Sequence, residues 1–131
     1  MATTAEQGIQ VRDRIYIGGE WVQSTGTGTL EVVNSATEQV MGSVPEGTAD
    51  DVDRAVDAAR AAFASWSQTS VDERTAWMAR IAEALGARME EIAVLIAQEV
   101  GMPVKLAHMI QAGLPTMDFG AMPQLMAETA W

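Results

Sequence analysis

Hydrophobic and polar positions follow three successive patterns along this chain. Residues 1–13 are small, polar and without period, and read as a flexible N-terminal arm. From Arg14 the period becomes two: Ile15 and Ile17 share a face, with Tyr16 opposite. Gly18-Gly19 then precedes Glu20-Trp21-Val22. A glycine pair between β-rich runs predicts a two-residue hairpin turn, because both positions accept positive φ. Ser24 to Gly28 is a turn-rich link, and Thr29–Val33 and Gln39–Val44 read as two further strands, with a turn over Asn34-Ser35-Ala36-Thr37 between them. Residues 14–47 are therefore predicted as a small antiparallel β-meander, too thin to be stable without something to pack on.

At Pro45 the period turns helical. Thr48 is placed to cap a helix, and Asp50 and Asp51 lie in its first turn, where carboxylates suit the positive end of the helix dipole. Val52, Val56, Ala59, Phe63 and Trp66 recur at spacings of three and four as one apolar stripe. Ser65–Thr69 breaks the pattern. Ser70 with Glu73 forms a second capping signature. The helix it opens, carrying Met78, Ile81, Leu85, Met89, Ile92, Leu95 and Ile96 on one side, is predicted to run unbroken to Glu99, despite Gly86. Gly101 followed by Pro103 is a stop signal. A third helical segment starts near Val104 and is expected to break at Gly113-Leu114-Pro115 and again at Pro123. The fold class predicted is α+β: the meander of 14–47 followed by three helical segments within a helical region, 48–131. The apolar pattern is still running at Trp131, which suggests a truncated domain.

Composition narrows the partners. The chain has 131 residues, 48% of them hydrophobic, and a formal net charge of −10. Such a field repels nucleic acid and anionic lipid, so no nucleic acid and no membrane partner is expected. The longest apolar run, Ile92–Ala97, is far short of the ~20 residues of a membrane helix. The first residues lack the basic start and apolar core of a secretory signal, so a cytoplasmic location is expected. There is no cysteine, which removes disulfides, thiolate metal sites and any cysteine nucleophile.

Four features have the residue types that chemistry uses. Gly26-Thr27-Gly28 begins like a dinucleotide fingerprint, but Glu31 stands where the third glycine belongs and no helix follows within a turn, so a flexible link is the better reading. His108 is the only histidine, without a second histidine or a cysteine nearby to complete a metal site. The carboxylate pairs Asp50-Asp51 and Asp72-Glu73 are explained by helix capping, and Glu90-Glu91 by a polar helix side. Met102, Met109, Met117, Met122 and Met126 crowd the last third, either as core filling or as a soft binding surface. None of these is predicted to be a catalytic, cofactor-binding or metal-binding residue.

Several of the same segments, in this order, resemble the start of the aldehyde dehydrogenase family. Tyr16-Ile17-Gly18-Gly19-Glu20-Trp21-Val22 is similar to its opening hairpin, and Glu31–Glu38 to its N-P-A-T turn, with Ser35 in place of the usual proline. Val44–Phe63 resembles the family's first helix, Ser70–Arg74 the start of its second, and Gln98–Pro103 its E-x-G-x-P stop. The resemblance runs from about Arg14 onward and corresponds to the N-terminal part of a member, within the coenzyme-binding domain of the α/β family fold. It implies a parent reaction in which a cysteine thiolate attacks an aldehyde, hydride passes to NAD or NADP, and the thioester is hydrolysed to a carboxylic acid. The family's cysteine, oxyanion-hole asparagine, general-base glutamate and coenzyme-binding turns match no residue here, so the chain alone is expected to bind no cofactor, to be inactive, and to self-associate or seek the remainder of a dehydrogenase. Val100 stands where some relatives carry an acid for a structural monovalent cation, beside a carbonyl matching Val33; without that acid no cation is implied. The alternative is a stand-alone helical interaction module without catalysis, using its Met-rich end as the binding surface.

Overall fold

The computed structural model describes residues 10–129. Most of the expected arm, residues 1–9, and the chain's last two residues lie outside them. The described residues fall into two compact units, divided between Ser67 and Gln68.

The first unit contains five strands and one helix. β1 (Gln10–Val11), β4 (Thr29–Asn34) and β5 (Gln39–Pro45) form one sheet in the order β1-β5-β4. β2 (Ile15–Ile17) and β3 (Glu20–Val22) form a separate two-stranded hairpin. Its turn is the one the glycine pair predicts: Gly18 and Gly19 have φ of 64° and 90°, both in the region where a Cβ is penalised. Tyr16 pairs with Trp21 across the strands, ring edge to face at 5.2 Å. The Asn34–Thr37 turn also forms, with Asn34 Oδ1 accepting from the N–H groups of Ala36 and Thr37.

Two expectations for this region change. The strands do not make one meander, because the Ser24–Gly28 link separates the hairpin from the sheet. The end of the arm is not loose either. β1 pairs in parallel with β5, Gln10 opposite Gly42 and Val11 opposite Ser43, and Arg12 N–H donates to Ser43 O at 2.9 Å. This pairing needs Gly42, since a Cβ built there would sit 2.8 Å from the carbonyl oxygen of Gln10. Gly42→Val is accordingly expected to detach β1 while leaving β4–β5 paired. Amide exchange at Arg12 would rise to the rate of an open chain, while exchange in β4 stays protected.

α1 (Ala49–Trp66) completes the first unit. Thr48 and Asp51 form a full capping box, each side chain bonding the other's backbone. The apolar stripe predicted from spacing stands largely in solvent: Val52, Val56, Phe63 and Trp66 are all exposed. The division of the chain falls after α1 and not at residue 47, because α1 is tied back to the Ser24–Gly26 turn, as described below.

The second unit is helical: α2 (Val71–Ala87), α3 (Met89–Val100), α4 (Val104–Leu106), a π-helical segment Ala107–Ala112, and α5 (Gly113–Glu128). Ser70 and Glu73 form the predicted capping box, and Gly101 ends α3 in the left-handed region at φ 76°. The long helix expected to reach Glu99 is in fact two, broken at Arg88 (φ −111°, ψ 11°). Arg88 holds Glu91 at 2.7 Å in the first turn of α3. The breaks expected at Gly113–Pro115 and Pro123 do not occur. Pro115 falls just after the π-helical segment Ala107–Ala112, in a backbone that stays helical on both sides. The π-helical segment precedes it and absorbs the change of hydrogen-bond register. Pro123 is carried inside α5.

The core of this unit is made of small residues. Ala93, Ala107 and Ala112 are buried where α3 meets the π-helical segment, with Met89, Ile92, Ile96, Ala97 and Met102 packed around them. No large side chain among the described residues is fully buried.

Candidate functional site

Asp51 is the one buried charged side chain among the described residues. It sits in the first turn of α1, where Thr48 accepts its N–H at 3.2 Å. Oδ2 accepts from the Ser24 hydroxyl at 2.6 Å and from the Thr48 N–H and hydroxyl, both at 3.1 Å. Oδ1 accepts from the Thr25 N–H at 3.0 Å and pairs with the Arg54 guanidinium at 3.0 Å. Arg54 also donates to the carbonyl of Gln23 at 3.4 Å. One carboxylate thereby fastens the Gln23–Thr25 segment to the start of α1.

These bonds decide what Asp51 can do. The Ser24 hydroxyl, together with the Thr25 and Thr48 donors, holds its carboxyl far below the ordinary carboxylate range, and this outweighs burial, which acts the other way. A general base needs proton affinity near the working pH and a free lone pair facing the substrate. Asp51 has neither, so its role is to hold structure.

The Gly26–Gly28 turn lies beside this knot, and its geometry does not fit a dinucleotide. A Cβ at Gly26 would meet the Thr48 methyl at 2.7 Å, and one at Gly28 would strike the Glu46 carboxylate. The glycines make room for the protein's own side chains. Pyrophosphate brought to this turn would also face Glu46 and Asp51, two carboxylates. No step of any reaction is assigned to a coenzyme at this place.

The other candidate residues are dispersed. His108 lies in the π-helical segment, its Nε2 3.6 Å from Glu90 Oε2, with both side chains substantially exposed. Glu73 is held below the ordinary carboxylate range by the Ser70 N–H and hydroxyl it caps, and is likewise committed. Asp50, Asp72 and Glu91 are solvent-facing. No group of three or more His, Cys, Asp or Glu among the described residues is arranged to hold a metal ion. Among the described residues no helix is long and apolar enough to cross a membrane. Sequence reasoning placed Asp51 in a helix cap but missed its bonds to Ser24 and Thr25. The partners are separated from it by more than twenty residues, and no local pattern joins them.

Comparison with known proteins gives a consistent picture. Residues 21–121 match the profile described as the aldehyde dehydrogenase family. Malonate-semialdehyde dehydrogenase 1 of Geobacillus kaustophilus is 45% identical over 117 residues, covering 87% of this chain and 24% of the relative. A 3-succinoylsemialdehyde-pyridine dehydrogenase from a Pseudomonas species is 44% identical over 98 residues, covering 74% and 20%. Among solved structures, an aldehyde dehydrogenase from Bartonella henselae superposes with a TM-score of 0.89 at 26% identity, over 93% of this chain and 26% of that one. A mutant of aldehyde dehydrogenase C from Pseudomonas syringae, in complex with NAD+ and octanal, superposes with a TM-score of 0.88 at 38% identity, over 95% and 26%. The chain thus spans about a quarter of the length of these relatives, in their N-terminal part.

Proposed function

This chain belongs to the aldehyde dehydrogenase family, and from that premise we propose that it is structural scaffold for the N-terminal part of an NAD- or NADP-dependent enzyme oxidising an aldehyde to a carboxylic acid, and does no chemistry by itself. The observation that carries this reading is the state of Asp51. The one buried charged group among the described residues is fully engaged in fastening a turn to a helix. The absence of any cysteine from the 131 residues agrees with it, since the thiohemiacetal route needs a thiolate.

In a whole family enzyme the coenzyme would accept hydride and a cysteine, a residue absent from these 131, would carry the acyl group. This chain's part is positional. The Asp51 knot fixes the first helix against the turn after the hairpin, and the Ala93–Ala107–Ala112 contact sets the spacing of the helical unit.

The test is direct. The purified chain is incubated with NAD+ or NADP+ and octanal, and reduced coenzyme is followed by its absorbance. No turnover above a protein-free control is expected. Formation of reduced coenzyme in proportion to chain concentration would overturn the reading.

A further inference from the structure

Val11, Arg12, Asp13 and Arg14, at the junction of β1 and β2, line a cavity of about 260 Å³ together with Trp21 of β3. Both ends of this stretch are held. The Arg12 N–H donates to Ser43 O at 2.9 Å, continuing the pairing of β1 with β5, and Arg14 Nη1 donates to the carbonyl of Trp21 at 3.5 Å. Trp21 is itself paired across the hairpin with Tyr16, ring edge to face, which limits the positions its indole can take. It nevertheless stays 62% exposed. Neither Arg12 nor Arg14 forms an ion pair among the described residues. In a chain with 18 acidic residues against 8 basic ones, two such arginines at one cavity are a local reversal of charge.

We propose that this cavity binds a small planar aromatic acid, its carboxylate on the guanidiniums of Arg12 and Arg14 and its ring against Trp21. A guanidinium is a planar fork of donors that matches the two oxygens of a carboxylate and stays charged at any working pH. An indole offers a flat apolar contact to a ring. Either contact alone is weak in water, whereas the two held close together select a molecule that has both groups. Because the backbone of the stretch is fixed at both ends, it need not be ordered when the ligand arrives. Size sets one limit. Drug-sized ligands take cavities of roughly 300–1,000 Å³, so this smaller one suits a single ring with its carboxylate. Charge sets another. Asp13 also lines the cavity and offsets one of the two arginines, and the chain as a whole carries −10. A monoanion is accepted there, and a polyphosphate is repelled. Such a site goes beyond the scaffold role and does not depend on it.

The experiment titrates the isotope-labelled chain with benzoate, benzamide and acetate at neutral pH. It follows by nuclear magnetic resonance the amide signals of Val11 to Arg14 and the indole N–H of Trp21. Benzoate is expected to shift these signals saturably, with a Kd on the order of 1 mM. Benzamide has the ring without the charge, and acetate the charge without the ring; each is expected to bind about tenfold more weakly or worse. Arg12→Gln plus Arg14→Gln is expected to reduce benzoate to the level of benzamide, while the backbone N–H that ties residue 12 to Ser43 is kept. If benzoate gives no saturable shift of these signals up to about 20 mM, the proposal is wrong. Benzamide binding as well as benzoate would overturn it too, since the arginines would then recognise nothing. Acetate binding as well as benzoate would remove Trp21 from the site with the same consequence. Should the double variant fail to fold, the three ligands on the unsubstituted chain decide the matter by themselves.

Discussion

Asp51→Asn is expected to be the most damaging near-isosteric change in the first unit. The substitution keeps the shape of the side chain but exchanges one acceptor oxygen for an NH2 group. That group would face the donors of Ser24, Thr25, Thr48 or Arg54, all within 3.1 Å of the present carboxylate. At least one part-buried donor then loses its acceptor, and Arg54 loses the opposite charge. A fall in the thermal midpoint of about 5–10 °C is expected, measured at neutral pH by differential scanning calorimetry. Thr48→Ser, which keeps the capping oxygen, is the matched control and is expected to change little.

The same carboxylate sets a pH dependence. Its proton affinity in the folded chain lies below that of an unfolded aspartate, so the unfolded state binds the proton more readily. The stabilisation is therefore complete above the ordinary carboxylate value of about 4 and is lost progressively as pH falls below it. Glu73 shifts in the same direction and adds to the loss. The wild-type midpoint is expected to fall on going from pH 7 to pH 3, and the gap between wild type and Asp51→Asn to narrow over that range. A gap that stays constant would show that the charge on Asp51 contributes nothing.

Ala93→Leu is the corresponding change for the helical unit. Ala93 and Ala107 have no exposed surface, and the approach of α3 to the π-helical segment depends on their size. Three extra carbons at this contact have no space, so the helices must separate or nearby side chains leave their rotamers, at a cost of about 1–3 kcal/mol. Urea unfolding followed by far-ultraviolet circular dichroism measures it. Leu95→Ala, on an exposed position of the same helix, tests the site dependence, since it should cost well under 1 kcal/mol beyond its surface area. Equal losses from the two substitutions would show that Ala93 is not a packing constraint.

Local chemistry alone determined much of this protein. The hairpin at Gly18-Gly19, the capping boxes at Thr48 and Ser70, the Asn34 turn and the stop at Gly101 each depend on atoms within a few residues, so their signals are contained in short stretches of sequence. The family resemblance was legible for a related reason: it is the order of those same local signals. Other features depended on tertiary contact. The parallel addition of β1 needs a bare Cα at Gly42, some thirty residues away. The break at Arg88 interrupts a helical period that sequence reads as continuous, and Pro123 is accommodated where sequence expects an end. The apolar stripe of α1 is periodic in sequence but exposed, because a periodic pattern records which residues share a face and does not record what covers it. Asp51 shows the same division within one residue. Its place in a cap is a local fact, whereas its burial and its lowered proton affinity exist only once Ser24 and Thr25 arrive from the far side of the sheet sequence. Spacing along the chain specifies the elements, and free energy gained between distant residues decides where they end and which faces they hide.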